Sequence, residues 1–422
     1  MISISKLKED VFLRHYAVYF IGSMIVAVLN YLFYPILGRL LSPSEFGDIQ
    51  VLISLITQAG IIFGAFSLIS VNITTNTENP HERNAILSEL RKICYYIVLA
   101  IVLFVLVYFT KIKSFLNLNT IYPIVGLIII LLLSSTATFR SAFLNGSKKF
   151  AELSINGIIS SGGRLVFAVI LILAGLGPLG VIIGIVLSQI ATLIFLHFRT
   201  KDSLHLNTKA NLHVLEKGSI RKEIIYGILI LFSTGLVTFI YTSDILIIKH
   251  FFNAHDAGVY SGISAIGKII YFLLAPVTAV LMASVKIKNT VKENAVILLK
   301  SIFISLILGL SVLLAFYIFN GIVVKVLLGQ NYMSYSYILP KVGVVMFLSS
   351  IVNVFVYYFL ALRRFFLIGI SCIGILTLGT LLMFYHGSIN AVLNSLIVSL
   401  LVIIFLFFIF YVKNYFNRNT SI

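Results

Sequence analysis

Residues 389–412 read INAVLNSLIVSLLVIIFLFFIFYV, a run without one charged side chain. Wound as an α-helix it would be about 36 Å long at 1.5 Å per residue, enough to cross a hydrocarbon core roughly 30 Å thick. It shows no period-2 alternation, so it reads as a helix and not as a barrel strand. Eleven further segments read the same way: about 14–36, 47–70, 93–110, 121–143, 153–174, 178–198, 224–248, 257–281, 294–318, 338–361 and 365–385. Between the fifth and sixth the only turn signal is Ala174-Gly175-Leu176-Gly177-Pro178. The composition agrees: 60% hydrophobic and 11% charged residues, no Trp, and a mean hydropathy of +1.08. A soluble domain carries roughly 25% charged residues. Disordered chains, coiled coils, soluble enzymes and soluble nucleic-acid binders are thereby excluded, and the net charge of +17 must sit in loops between spans. The expected fold is an all-α polytopic membrane protein of about twelve transmembrane helices.

Lys and Arg set the expected orientation. With the N-terminus inside, the inner segments hold 21 of them and the outer segments six, namely Arg39, Lys111, Lys113, Lys249, Lys325 and Lys341. That asymmetry over short loops predicts cytoplasmic termini and an even number of spans. The first span is too long for the apolar core of a cleaved signal peptide and no small-residue cleavage pattern follows it.

The longest polar stretch lies between spans six and seven, so the chain divides into an N-lobe (1–198, spans one to six), a linker (199–223) and a C-lobe (224–422). The lobes resemble one another. Leu41-Ser42-Pro43-Ser44-Glu45-Phe46-Gly47 matches Phe252-Asn253-Ala254-His255-Asp256-Ala257-Gly258, both ending in acid-x-Gly, at an offset of 211 residues. Phe143-Leu144 leading to Lys148 and Phe150 matches Phe359-Leu360 leading to Arg364 and Phe366, at an offset of 216. Both halves begin inside, which predicts parallel repeats and a central cavity between two six-helix lobes. The charged stretch 71–92 and the linker read as solvated loops or as amphipathic surface helices.

Charges within the spans are the candidate site. An Arg or Lys at the centre of a spanning helix costs about 2.5–3.5 kcal/mol on insertion scales, so it needs water, a partner or an anion. Arg164 and Lys268 each lie 11 residues inside their expected spans, too deep to reach either surface. Arg140 and Lys300 lie near inner helix ends and are expected to snorkel. For Arg39, at the outer end of span one, a headgroup contact and a place at the cavity mouth stand equal. Asp244 is the one carboxylate clearly inside a span. Two readings stand for it: a salt bridge that neutralises Lys268, or a protonatable or cation-binding group that couples transport to an ion gradient. Under the first, Arg164 remains unpaired and favours a phosphate-bearing substrate, which guanidinium grips bidentately. Asn30, Tyr31, Tyr241 and Tyr271 are possible sugar contacts, as are Tyr34, Asn156, Thr242 and Asn353; each also suits plain interhelical packing. Glycine pairs at 60/64, 180/184 and 258/262 allow close helix approach. Cys94 and Cys372 lie far apart in apolar stretches, and the chain carries no P-loop, HExxH or His/Asp/Glu cluster. No catalytic residue, metal site or cofactor is expected.

Gly38-Arg39-Leu40-Leu41-Ser42-Pro43-Ser44-Glu45-Phe46-Gly47, Ser243-Asp244-Ile245-Leu246-Ile247-Ile248, Asp256-Ala257-Gly258-Val259-Tyr260-Ser261 and Ile266-Gly267-Lys268 carry a resemblance. The chain resembles the Wzx-type O-antigen and polysaccharide flippases of the multidrug/oligosaccharidyl-lipid/polysaccharide exporter superfamily. That resemblance implies two lobes working by alternating access in the bacterial cytoplasmic membrane. It implies an undecaprenyl-pyrophosphate-linked oligosaccharide as substrate, held by Arg164, Lys268 and Arg39, with Asp244 tuning or coupling the cycle to an ion gradient. Membrane lipids, a polysaccharide polymerase and a chain-length regulator are the partners implied, and nucleic acid is not. The alternatives are a multidrug exporter of the same architecture, which would want an acidic cavity, and a membrane-embedded polymerase, which would want a large outer loop or clustered carboxylates.

Overall fold

The computed structural model describes residues 11–206, 218–286, 288–364 and 366–419. Twelve long helices follow in order: α1 (Val11–Leu40), α2 (Pro43–Asn76), α3 (Pro80–Val107), α4 (Tyr122–Gly146), α5 (Phe150–Leu171), α6 (Gly177–Thr200), α7 (Gly218–Phe251), α8 (Ala254–Ser284), α9 (Val291–Leu327), α10 (Leu339–Ala361), α11 (Phe366–Phe384) and α12 (Ile389–Asn419). A short helix, Phe109–Phe115, follows α3, and a 3-10 segment, Gln330–Ile338, precedes α10. No strand occurs among the described residues.

Eleven helical stretches are long and apolar enough to span a membrane, and one of them, Phe150–Thr200, is double length at 51 residues. It folds back at Ile172–Leu176, where Gly175 takes φ 89° and Gly177 φ 49°. Those left-handed angles carry little penalty only at glycine. Beyond the turn α5 and α6 run antiparallel in close contact: a Cβ on Gly184 would lie 2.6 Å from the Ala168 amide nitrogen. The all-helical, twelve-span expectation therefore holds, and the glycine-rich turn is where it was expected. Large apolar side chains remain outside on these helices, Phe384 at 79% exposure among them. Such a surface suits lipid and not water.

Local chemistry explains where the helices begin. At the start of α2, Glu45 accepts from the Ser42 backbone N–H at 3.0 Å and from its hydroxyl at 2.7 Å. At the start of α8, Asn253 accepts from the Asp256 N–H at 2.8 Å and donates its amide to the Asp256 carboxylate at 2.7 Å. At the first corner the acid itself takes up a backbone N–H, whereas at the second the cap is Asn253 and the acid holds the amide of that cap. Thr290 and Glu293 form a reciprocal capping box at α9. Asn79 accepts from the N–H groups of His81 and Glu82 ahead of Pro80. Here the sequence expectation needs correction: most of the stretch 71–92 is neither loop nor separate surface helix. α2 runs on to Asn76, and the charges of 82–92 occupy the first turns of α3. Within the expected linker, residues 207–217 lie outside the described residues, with Lys209 and Lys217 among them.

The chain forms two compact units. Unit 1 comprises Met1–Leu41 and Ile62–Gly227; unit 2 comprises Ser42–Ile61 and Ile228–Ile422. The first half of α2 therefore belongs to unit 2. There the two repeated corners meet: a Cβ on Gly47 would lie 3.0 Å from the Gly258 Cα, and one on Gly258 would lie 1.9 Å from the Pro43 carbonyl oxygen. The Gly of acid-x-Gly is what allows this backbone contact.

Candidate functional site

In unit 1, Arg164 lies 14 residues after Phe150 on α5, about 21 Å along a helix of roughly 33 Å. Its Nη2 donates to the Asn30 amide oxygen of α1 at 2.9 Å, and its guanidinium carbon lies 4.1 Å from the centroid of the Phe33 ring. Phe33 is fully buried and meets Tyr34 edge-on. The Arg164 Nε is buried without a hydrogen-bond partner, as is the Tyr31 hydroxyl. Among the described residues no carboxylate pairs with Arg164. The structure thus holds a positive group inside the membrane by an amide and a ring face, neither of which cancels its charge. Gly162 and Gly163 beside it face Leu29 and Ser188, so α1 and α6 occupy the space the glycines leave.

In unit 2, Asp244 on α7 is fully buried. Its Oδ2 accepts from the Tyr260 hydroxyl at 2.9 Å and the Ser264 hydroxyl at 2.5 Å, while Oδ1 is buried without a partner. Lys268 follows on the same face of α8, each step from Tyr260 to Ser264 to Lys268 being four residues. Among the described residues Lys268 makes no ion pair with Asp244. Of the two readings of Asp244, the salt bridge with Lys268 is not formed in this structure: the Tyr260 and Ser264 hydroxyls of α8 hold the carboxylate instead. This leaves an acid with one open oxygen and a cation close by.

The remaining expected residues separate. Tyr241 and Tyr271 stack on each other, ring centroids 4.2 Å apart, and Tyr271 accepts from the Asn353 amide at 2.5 Å. Each tyrosine thereby has one ring face covered. Arg39 is exposed in the last turn of α1. Arg140 donates to the Thr200 hydroxyl at 2.5 Å, whereas Lys300 is exposed.

Sequence reasoning missed a fully buried ionic contact. Lys249, counted above as an outer-loop cation, is fully buried in the last turn of α7, and its Nζ lies 2.7 Å from Asp48 Oδ1 of α2. Both belong to unit 2. The sequence shows an acid and a base each at the end of an apolar run, but carries no signal that their two helices meet.

Comparisons with known proteins agree with the architecture. The family described as "Polysaccharide biosynthesis protein" matches residues 12–283. No curated protein matches the chain in sequence. Among solved structures, an inward-facing multidrug resistance MATE family transporter of the MOP superfamily superposes with a TM-score of 0.74 at 12% identity, covering 96% of this chain and 99% of that one. The lipid II flippase MurJ in an inward closed conformation gives 0.71 at 14% identity, covering 94% of this chain and 87% of that one. At such identities the likeness shows the fold.

Proposed function

We propose a function from one premise: the chain belongs to the polysaccharide biosynthesis protein family. It is a flippase that carries a polyprenyl-pyrophosphate-linked oligosaccharide, an O-antigen or capsule repeat unit, across the bacterial cytoplasmic membrane by alternating access. The observation that carries this reading is Arg164, a membrane-embedded guanidinium with a buried, unpartnered Nε and no carboxylate paired with it among the described residues. Such a group has donors left for a phosphate, and pyrophosphate is the anionic part of this substrate. Lys268, in unit 2, and Arg39, at the surface end of α1, are further candidate cations for the substrate. Asp244, with one open oxygen beside Lys268, is the acid through which an ion gradient acts. The excess of Lys and Arg in the segments on the side of the termini supports cytoplasmic ends. The work is transport and not covalent chemistry, and a polymerase and chain-length regulator would act on its product. A multidrug exporter of cationic drugs would pair poorly with an uncompensated arginine.

The test is surface polysaccharide in cells whose only copy carries Arg164→Gln, with protein level measured in the same cells. Loss of polysaccharide at normal protein level is expected. Normal polysaccharide in that strain, or in one lacking the gene, overturns the reading.

A further inference from the structure

Unit 1 contains a cleft of about 310 Å³ between the second half of α2 and helices α4, α5 and α6. Ligand pockets begin at about that size, but most are lined with apolar groups and this one is not. Ser67, Thr138, Ser141, Asn156, Gln189 and Thr192 line it, with Ser160 beside them, and no charged residue does. Ion binding is disfavoured by that choice of groups; a neutral, hydroxyl-rich ligand is favoured.

Two of these groups are uncommitted. The Asn156 Oδ1 and Thr192 Oγ1 are buried with no hydrogen-bond partner. A buried polar atom left unsatisfied is costly, so it signals a missing partner. Ser134, one turn before Thr138 on α4, accepts from Gln189 at 3.1 Å and keeps that amide in place. Phe63 adds the one aromatic ring, an apolar wall of the kind the C–H face of a sugar packs against.

Position adds the second argument. Asn156, Ser160 and Arg164 follow one another at four-residue steps along one side of α5, each step rising about 6 Å. A pyrophosphate on Arg164 would therefore set the group attached to it about one helical turn away, beside Ser160 and the cleft. We propose that this cleft seats the sugar joined directly to the pyrophosphate. The inference rests on the flippase reading above and adds to it a recognition site for the neutral part of the substrate.

The experiment titrates purified protein in nanodiscs with three probes: bare polyprenyl pyrophosphate, and the same lipid carrying one hexose or one N-acetylhexosamine. The readout is the ratio of affinities, sugar-bearing to bare, which is unaffected by how much of each variant is folded. A sugar-bearing probe should bind wild type more tightly than the bare lipid. Thr192→Val, nearly the same shape, should cut that ratio about fivefold, and Thr192→Val with Asn156→Leu about 25-fold, one hydrogen bond each. Arg164→Gln should weaken all probes together and leave the ratio unchanged. If no sugar raises affinity, or the cleft variants keep the wild-type ratio, the cleft is a water-filled gap and the inference fails while the flippase reading stands. If wild type binds none of the probes, the flippase reading itself fails.

Discussion

Lys249→Met takes away an ammonium that lies 2.7 Å from Asp48 in a site where the two side chains are 0% and 5% exposed. At an effective dielectric of about 20 two unit charges at that distance attract by about 6 kcal/mol, most of which offsets the loss of hydration on burial. Removing one partner keeps the burial cost and forfeits the attraction, so the expected destabilisation is about 3–5 kcal/mol. Asp48→Asn alone should cost a similar amount by stranding Lys249. The double substitution leaves no stranded charge and should return to within about 1–2 kcal/mol of wild type, a coupling of several kcal/mol. The chain has no Trp, so unfolding is best followed by helical circular dichroism as a denaturing detergent displaces a mild one. A single substitution costing under about 1 kcal/mol, or a double whose cost is the sum of the singles, would refute a buried ion pair.

Three further outcomes follow from the geometry. Gly258→Ala should destabilise by about 2 kcal/mol or more through collision with the Pro43 carbonyl, whereas Gly60→Ala, whose added methyl meets nothing within 4 Å, should be neutral or gain up to about 1 kcal/mol; the same detergent titration compares them. Arg164→Lys should retain part of the transport that Arg164→Gln loses, because it keeps the charge but not the two-pronged donor geometry, and flipping of a fluorescent polyprenyl-pyrophosphate oligosaccharide in vesicles measures the difference. Asp244→Asn keeps the shape that Tyr260 and Ser264 hold and should abolish the pH or sodium dependence of that flipping; an unchanged dependence assigns Asp244 to structure alone.

The spans were legible because membrane solvent imposes one requirement on every residue of a crossing helix, and a run such as 389–412 satisfies it in isolation. The repeated corners were legible too, since helix starts favour short polar caps and close approach needs a glycine at fixed short spacing. Pairings across long separations were not. Asp48 and Lys249 lie on helices that the sequence offers no rule for bringing together, and Lys249 was indistinguishable from a charge that marks a loop. The Asp244 site was half legible: the acid and Lys268 were found, but Tyr260 and Ser264 looked like ordinary residues of an apolar helix. Their four-residue spacing ahead of Lys268 was the available signal. The cleft was least visible, because a lone Ser or Thr in a spanning helix most often bonds its own backbone, as Thr200 does to Leu196. Only packing reveals which hydroxyls are left over.

At the 211-residue offset of the duplicated corners, Lys249 corresponds to Gly38 and Asp48 to Val259. The ion pair therefore has no twin in the other copy. Two corners of the same plan could otherwise exchange neighbours during assembly, since each starts a helix with acid-x-Gly and each glycine allows backbone contact. With opposite charges placed at only one of the two equivalent sites, an exchanged arrangement would strand an ammonium against hydrocarbon, a penalty of several kcal/mol. A bond that contributes little net stability can in this way act as a proofreading mark, telling two look-alike halves apart while the membrane protein is still finding its partners.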